Sequence, residues 1–178
     1  MDNVFLVGID RDGTILDDKG QPYFGRDTNW RNLLTIYPEA VEGIKRLNSD
    51  PRSKVVVTTN QAGIALGLYQ PETCEEINRY MDELLKTRGI KTEGWYYCPY
   101  VDAKYAKKRN LTADNPWVLE ESEDRKPRIG MLIKAAERIG LTLESFTLTH
   151  DLSSIYYVGD KDSDVQTGLN AKGKGILV

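Results

Sequence analysis

Two aspartates that lie two residues apart, Asp10 and Asp12, directly follow the apolar run at residues 4–9. Alternate residues of a strand share a face, so both carboxylates are expected on the same side of the chain. Such carboxylates repel each other, and each raises the pKa of the other unless a cation lies between them. The pair therefore predicts a site for a divalent metal ion, with Gly13 permitting a tight turn beyond it. A solvated strand end closed by an Asp-Gly turn is the simpler alternative.

Segments with strand patterns alternate with segments that have helical periodicity. The predicted strands are residues 3–9, 54–59, 92–97, 155–158 and 175–178, and the predicted helices are residues 38–48, 71–88, 129–139 and 163–170. Strands separated by helices of this length predict a parallel sheet that is covered on both faces. The expected fold class is therefore α/β: a three-layer, Rossmann-like fold with a mainly parallel sheet.

Polar side chains occur where these predicted strands end, which is where ligands bind in parallel sheets. Thr59 and Asn60 follow the second strand, and Asp160 and Asp164 follow the fourth. Lys126 precedes the helix that begins near residue 129. We expect these side chains to meet the two aspartates at one edge of the sheet. Taken singly, each also has an ordinary interpretation as a surface charge, a strand end or a helix cap.

Two long stretches lack a clear pattern: an excursion at about 14–37 and a loop at about 98–128. Loops of this length usually serve function or are mobile. Neither is large enough for an independent lid, so residues 1–178 are expected to form a single domain without a large cap. The basic run at 104–109 is interpreted as a solvated face of the second stretch.

The composition limits the classes of function. The chain has 178 residues, 40% of them hydrophobic, a net charge of −3 and a pI of about 5.3, so nothing draws it generally toward nucleic acid or membranes. No apolar run approaches the roughly 20 residues needed to span a bilayer, and no signal segment is recognised. We expect a cytoplasmic protein, monomeric or weakly oligomeric. Two cysteines and one histidine leave acid–base chemistry to the carboxylates.

The ordered set of motifs resembles the haloacid dehalogenase-like phosphohydrolase superfamily. The set comprises D-x-D-G-T at 10–14, Thr59 at a strand end, Lys126, and G-D-x-x-x-D at 159–164. The segments 57–64, 125–127 and 158–161 are similar to the capless branch that contains heptose bisphosphate and histidinol-phosphate phosphatases. Polynucleotide 3′-phosphatase domains are neighbours of this branch, with a similar T-N-Q segment after the second strand.

The resemblance implies a role for each acid. Asp10 would be the nucleophile that forms an aspartyl-phosphate, and Asp12 the general acid and base. Mg²⁺ would bind the Asp10 carboxylate, the backbone carbonyl of Asp12 and the Asp160 carboxylate. Asp164 would brace either Lys126 or the waters on the metal.

The resemblance also implies the residues that bind substrate. Thr59 and the Asn60 amide would hold phosphate oxygens, and Lys126 would neutralise charge in the transition state. Arg125 would grip the substrate beyond the transferred group, for example at a second phosphate.

One departure concerns zinc. The heptose and histidinol phosphatases carry a zinc loop, with C-x-H after the third strand and C-x-C before R-K-P. Here the first part is Cys98-Pro99-Tyr100 and the second is Ser122-Glu123-Asp124, so only Cys98 remains. A closed zinc site needs four ligands, usually Cys or His. We therefore expect Mg²⁺ and no zinc.

These observations predict Mg²⁺-dependent hydrolysis of a phosphate monoester on a small phosphorylated metabolite, a sugar phosphate or bisphosphate. Transfer of the phosphoryl group from the aspartyl-phosphate to an acceptor other than water stays open beside hydrolysis, and so do two other functions. One is a polynucleotide 3′-phosphatase, for which the basic run would contact nucleic acid. The other is a non-catalytic protein that uses the fold to bind a phospho-ligand. No membrane partner is expected.

Overall fold

Five parallel strands form the main sheet of the protein. The structure is a computed structural model that describes residues 4–112, 114–141 and 154–178. The sheet contains β1 (Phe5–Asp10), β2 (Ser53–Asn60), β3 (Gly94–Cys98), β6 (Ile155–Gly159) and β7 (Lys174–Leu177), in the order β3-β2-β1-β6-β7. Two further strands, β4 (Val101–Asp102) and β5 (Val118–Leu119), form a separate parallel pair.

Seven helices and one 3₁₀ turn accompany the strands in the described part of the chain. The helices are α1 (Trp30–Leu33), α2 (Pro38–Asn48), α3 (Ala62–Ala65), α4 (Pro71–Lys86), α5 (Ala103–Lys108), α6 (Gly130–Arg138) and α7 (Asp162–Asn170), and the 3₁₀ turn is Phe24–Arg26. None of the helices seen in these residues is long and apolar enough to cross a bilayer.

The two faces of the sheet are both buried, which explains the nearly continuous apolar character of its strands. On one face, Val7 and Ile9 of β1 pack with residues of α2 and α4, including Ile44 and Met81. On the other face, Leu6 of β1 packs with β2, β6 and α6. Successive residues of β1 therefore serve opposite helical layers, as strand geometry requires. The predicted α/β fold with a mainly parallel sheet and two helical layers is confirmed.

The two stretches that lack a sequence pattern contain short elements. The first holds the 3₁₀ turn and α1, and the second holds β4, α5 and β5. The second stretch was expected to be a loop, but the N-terminus of α5 has a local reason to form. The Asp102 carboxylate accepts a hydrogen bond from the Tyr105 backbone N–H at 2.7 Å, which is a standard N-cap. Among the described residues neither stretch builds a large cap domain.

The order of the strands determines where a ligand can bind. The chain adds β2 and β3 on one side of β1 and later adds β6 and β7 on the other. The crevice between the carboxyl ends of β1 and β6 is therefore the topological switch point, where open α/β sheets bind ligands. Asp10 ends β1 and Asp160 directly follows β6, so the predicted site residues lie at this crevice. His150 lies outside the described residues.

Candidate active site

A tight turn after β1 shapes the first part of the site. The backbone carbonyl of Arg11 accepts hydrogen bonds from the N–H groups of Ile15 and Leu16, at 3.0 and 2.8 Å. Gly13 has a φ of +87°, and a Cβ added there would lie 2.5 Å from Oδ2 of Asp160. Only glycine allows this backbone conformation and this close approach together. The turn thereby brings the Asp12–Gly13 peptide against Asp160.

Lys126 lies in the centre of the site, between two buried carboxylates. Its Nζ is 2.5 Å from Oδ1 of Asp10 and 2.7 Å from Oδ1 of Asp164. Its backbone is fixed by Asn60, whose side-chain amide donates to the Lys126 carbonyl and accepts from the Lys126 N–H, both at 3.1 Å. The ring of Tyr157 lies beneath the ammonium, at 5.4 Å from its centroid. The lysine that the sequence singled out is thus held from several sides.

The electrostatics of this pair follow from burial and charge. Burial raises the pKa of Asp10 to about 7, Lys126 opposes that rise, and Asp164 and Asp12 add to it. Burial would lower the pKa of Lys126, but the negative charges of Asp10 and Asp164 outweigh it and raise that pKa above its usual value. The lysine is therefore a fixed positive charge next to a carboxyl group whose ionised form is costly without a cation.

Lys161 marks a position where a cation is stabilised. Its Nζ lies 2.8 Å from Oδ1 of Asp160, 3.3 Å from the backbone carbonyl oxygen of Asp12 and 3.8 Å from Oδ2 of Asp10. These oxygens belong to the same three groups that the family resemblance implies as Mg²⁺ ligands. Carboxylate oxygens of Asp10, Asp160 and Asp164 also lie within 4.8 Å of one another. The residues present therefore fit a hard divalent cation, which prefers oxygen ligands.

Asp164 has two functions that the sequence offered as alternatives. Its Oδ2 accepts the Lys161 backbone N–H at 3.1 Å and so caps the start of α7. Its Oδ1 contacts the ammonium of Lys126. Gly159 makes room for this carboxylate, because a Cβ there would lie 2.3 Å from Oδ2 of Asp164. Lys126 is one of the two partners expected for Asp164.

Asp12 is held by two residues that the sequence reasoning missed, Arg11 and Gln61. Arg11 is fully buried and donates to both oxygens of Asp12, while Gln61 Nε2 donates to Oδ2 at 2.7 Å. The same Gln61 nitrogen lies 2.8 Å from Oγ1 of Thr59, and the Gln61 Oε1 accepts from Tyr69 at 2.6 Å. A signal for Arg11 was present, since an arginine between two aspartates at the end of a buried strand needs a buried partner.

Burial by itself would raise the pKa of Asp12, but the charge and hydrogen bonds of Arg11, together with the hydrogen bond from Gln61, hold it below its usual value. Thr14 of the same motif behaves differently. Its hydroxyl is buried and has no hydrogen-bond partner among the described residues.

Two of the predicted substrate-binding residues make contacts that were not expected. The Asn60 side-chain amide hydrogen-bonds both the N–H and the carbonyl of Lys126. It therefore binds the backbone and does not face the open crevice. Arg125 donates to the Tyr100 carbonyl at 3.0 Å and lies over the ring of Tyr105, at 5.1 Å from its centroid. The structure therefore connects Arg125 to the segment after β3.

The positions of the family's zinc loop do not offer a zinc donor set. The Cys98 thiol lies 3.7 Å from the Tyr100 carbonyl oxygen and 3.6 Å from the Ser122 hydroxyl. Burial raises the pKa of this thiol, which disfavours the thiolate that zinc requires. Asp124 pairs with Lys134 at the surface. One thiol, a hydroxyl and an engaged carboxylate do not fit a four-ligand structural site.

Two solved structures that resemble this chain are described as phosphatases. A HAD-like phosphatase from Mesorhizobium loti aligns with a TM-score of 0.74 and 28% identity, covering 98% of this chain and 72% of that one. D,D-heptose 1,7-bisphosphate phosphatase from B. bronchiseptica, complexed with magnesium and phosphate, aligns with a TM-score of 0.68 and 25% identity, covering 98% and 80%. The fold and the site therefore define a phosphatase of the haloacid dehalogenase-like type.

The model of the family described as polynucleotide kinase 3 phosphatase matches residues 6–172, and the chain belongs to this family. D-glycero-D-manno-heptose-1,7-bisphosphate 7-phosphatase of Chlorobaculum tepidum is 32% identical over 178 residues, covering 100% of this chain and 80% of the relative. The Yersinia pestis D-glycero-beta-D-manno-heptose-1,7-bisphosphate 7-phosphatase is 31% identical, covering 99% and 81%. These likenesses place the chain in the branch that contains heptose bisphosphate phosphatases.

Proposed function

We propose that this protein is a Mg²⁺-dependent phosphatase that hydrolyses a small sugar phosphate or bisphosphate through an aspartyl-phosphate on Asp10. One observation carries the proposal. At the switch point of the sheet, oxygens of Asp10, Asp12 and Asp160 surround the ammonium of Lys161, while Lys126 lies on the other side of Asp10. A buried carboxylate between a fixed cation and a cation-binding position is suited to attack on an anionic phosphate.

In the first half-reaction, a carboxylate oxygen of Asp10 attacks phosphorus and the bond between phosphorus and the leaving-group oxygen breaks. Asp12 takes up a proton when the anionic substrate binds, because the nearby negative charge raises its pKa, and gives that proton to the leaving oxygen. Lys126 neutralises the charge that accumulates on the phosphoryl oxygens, and the Thr59 hydroxyl, at the end of β2, donates to one of them. Asp10, Asp160 and the backbone carbonyl of Asp12 would hold Mg²⁺, which would offset the repulsion between carboxylate and phosphate.

In the second half-reaction, a water molecule attacks the phosphorus of the aspartyl-phosphate. The carboxylate of Asp12 takes a proton from that water, and the bond between the Asp10 oxygen and phosphorus breaks. Inorganic phosphate leaves, Asp10 regains its charge and Asp12 releases its proton, because the site without phosphate favours the Asp12 carboxylate. The same side chain therefore serves as acid and base in turn, so its position matters in both halves.

The substrate class is supported by the relatives, which are named as phosphatases of a heptose bisphosphate. The described residues build no large domain over the crevice, so the leaving group can extend outward. Arg125 lies next to the Lys126 that would contact the transferred phosphate, and its guanidinium could bind a second anionic group of the substrate.

The test measures phosphate release from a panel of sugar phosphates, sugar bisphosphates, histidinol phosphate, nucleotides and 3′-phosphorylated oligonucleotides, with and without Mg²⁺. We expect release that depends on Mg²⁺, favours a sugar phosphate and is lost in Asp10→Asn. Asp50→Asn is the matched control, because Asp50 pairs with Arg52 before β2, at the opposite end of the strand from the site. Activity that survives in Asp10→Asn would contradict the mechanism. Binding of phosphate without turnover would instead favour a non-catalytic role.

A polynucleotide 3′-phosphatase is the second candidate. Two observations favour it: the description of the matching family and the exposed cations of α5 and its end, Lys104, Lys107, Lys108 and Arg109. The net charge of −3 opposes it, because non-specific attraction to nucleic acid requires a positive surface. Preference for oligonucleotides in the panel would establish this candidate over the first.

A further inference from the structure

Arg11, the second residue of the D-x-D-G-T motif, has no part in the proposed chemistry, and it is fully buried. Its Nε lies 2.8 Å from Oδ1 of Asp12, and its Nη2 lies 3.1 Å from Oδ2 of the same carboxylate. Its third nitrogen, Nη1, donates to Oδ1 of Asn78 at 2.7 Å and lies 3.6 Å from the sulfur of Cys74. The guanidinium therefore connects the turn after β1 to the buried face of α4.

Stability alone does not account for an arginine at this position. Taking a guanidinium out of water is costly, and buried ion pairs are often replaced by apolar side chains without loss of stability. What an arginine adds is geometry, because its planar fork fixes the orientation of a carboxylate in a way that a single donor does not. Here both forked bonds reach Asp12, and the remaining donor is anchored on a helix.

A second residue, Gln61, hydrogen-bonds the same carboxylate from another direction. Gln61, in the segment after β2, donates to Oδ2 of Asp12 and is itself oriented by the Tyr69 hydroxyl. Both oxygens of Asp12 are thus engaged by groups that belong to different elements, while 20% of its side chain remains exposed. Only this exposed part of Asp12 can contact substrate. Because Arg11 and Gln61 fix the carboxylate, they decide the direction in which the exposed part faces.

We propose that Arg11, anchored by Asn78, is the positioning residue that directs the Asp12 carboxyl group toward the leaving-group oxygen and the attacking water. The inference rests on the proposed function, which assigns the proton transfers to Asp12. Arg11 is enclosed and touches no substrate, so it acts only through Asp12. In both half-reactions the proton moves directly between an Asp12 oxygen and the reacting oxygen, and that transfer needs hydrogen-bond distance.

The experiment compares two substrates that differ in their need for a proton. p-Nitrophenolate leaves phosphorus without protonation, whereas the alkoxide of glycerol 1-phosphate has to be protonated. Rapid mixing with p-nitrophenyl phosphate gives a burst of p-nitrophenolate that measures phosphorylation of Asp10 alone. Steady-state release from glycerol 1-phosphate measures the steps that depend on Asp12.

For Arg11→Met we expect kcat on glycerol 1-phosphate to fall about 100-fold, the loss typical of a misplaced catalytic group. The KM should change less than about twofold and the burst rate less than about threefold, because substrate binding and attack by Asp10 are retained. Arg11→Lys, which keeps the charge without the fork, should lie between wild type and Arg11→Met. Asn78→Ala removes only the anchor and should lower kcat about tenfold, which also provides the test if Arg11→Met does not fold.

Arg79→Met is the matched control, since Arg79 neighbours Asn78 on α4 but is exposed, and it should behave as wild type. Equal losses in the burst and in glycerol 1-phosphate turnover would overturn the inference and leave Arg11 a general structural residue. So would wild-type turnover in both Arg11→Met and Asn78→Ala. Asp12→Asn distinguishes failure of the proposed function from failure of the role of Arg11. If this variant keeps full activity on glycerol 1-phosphate, the proposed function itself has failed.

Discussion

The residues of the site form a set of matched charges. Lys126 is shared by Asp10 and Asp164, Arg11 serves Asp12, and Lys161 serves Asp160. Lys126 and Arg11 are buried, while more than half of the Lys161 side chain is exposed. Moving either buried cation would leave a buried carboxylate without its partner, whereas the exposed Lys161 is free to move aside for the proposed Mg²⁺. The role of each cation therefore depends on the carboxylate whose charge it neutralises.

Lys126→Met should reduce both activity and stability. Removing the cation takes away the charge facing the phosphoryl group, and we expect kcat to fall by about 100-fold or more. It also leaves Asp10 and Asp164 buried without compensation, which should lower the free energy of unfolding by about 3 kcal/mol in metal-free buffer. Steady-state kinetics and urea denaturation measure the two effects. Lys134→Met, which breaks the exposed pair with Asp124, is the control, and an equal loss of stability there would contradict the explanation.

At the scale of elements, the site depends on how turns and helices place their ends. The turn after β1 carries Asp12 and Gly13, the start of α7 carries Asp164, and the segment before α6 carries Lys126. These three elements are far apart in sequence and meet only at the carboxyl ends of β1 and β6. A change of backbone at one of them should therefore affect binding more than it affects the fold.

Gly13→Ala should weaken Mg²⁺ binding more than it lowers stability. The added Cβ would lie 2.5 Å from Oδ2 of Asp160, so this proposed ligand has to shift, and we expect affinity to fall about 10–100-fold. Calorimetric titration with Mg²⁺ measures it. Gly20→Ala is the matched control: its φ is +69°, so it has a similar backbone cost, but nothing lies within 4 Å of the added Cβ. Similar Mg²⁺ affinity in the two variants would show that the contact with Asp160 is unimportant.

A second prediction at this scale concerns Asp82, which ties α4 to β3. Its carboxylate accepts from Thr92 and from the Trp95 indole N–H, at 2.8 and 3.0 Å, and pairs with Lys86. Burial would raise the pKa of Asp82, but these partners outweigh it and hold that pKa below its usual value. The stabilisation is therefore complete above the unfolded-state pKa of about 3.9 and is lost as pH falls through the lower folded-state value.

Asp82→Ala should accordingly lower the free energy of unfolding by about 1 kcal/mol at pH 7, since the side chain is only partly shielded from solvent. The difference from wild type should shrink as the pH is lowered below about 4. Urea denaturation at several pH values measures both. Glu83→Ala, at the next and exposed position of α4, is the control. A difference that persists unchanged at acid pH would mean that packing, and not charge, is responsible.

At the scale of the whole molecule, the distribution of charge bears on the choice of substrate. The chain is acidic overall, but its exposed cations at 107–109 lie on the segment after β3, which meets the 14–37 stretch through a hydrogen bond between the Tyr23 and Tyr105 hydroxyls at 2.9 Å. Both irregular stretches therefore contact each other in the folded protein. A small substrate would interact with groups close to the crevice and leave the exposed cations unused.

Replacing Lys107, Lys108 and Arg109 together by glutamine should leave kcat/KM for the preferred sugar phosphate within about twofold of wild type, because exposed charges beyond the site contribute little. The matched control replaces three exposed lysines elsewhere, Lys45, Lys91 and Lys172, by glutamine. Activity is measured across a range of salt concentrations. Loss of oligonucleotide cleavage and of its salt dependence in the first triple variant alone would favour the nucleic-acid alternative.

Much of the fold and part of the site could be predicted from local signals. The helix beginning at Pro71 and the buried strand ending at Asp10 have patterns that depend only on neighbouring residues. The 98–128 stretch was harder, because the two-residue strands β4 and β5 are paired with each other and have no periodicity of their own. Gln61 was missed for a related reason. Its role depends on contacts with Asp12 and Tyr69, and local sequence patterns do not show that these residues are close in space.

The sequence by itself determined the fold class and the types of residue at the strand ends, because both follow from local periodicity and residue type. It did not determine which polar group faces which. The pairing of Lys126 with both Asp10 and Asp164 and the anchoring of Arg11 on α4 join residues 38 to 116 positions apart. Such contacts arise only when packing of the sheet and its helices brings distant segments together in a buried space, where every charge has to find a partner. Tertiary structure therefore decided which residues of the site contact one another, and local sequence decided which types of residue the site contains.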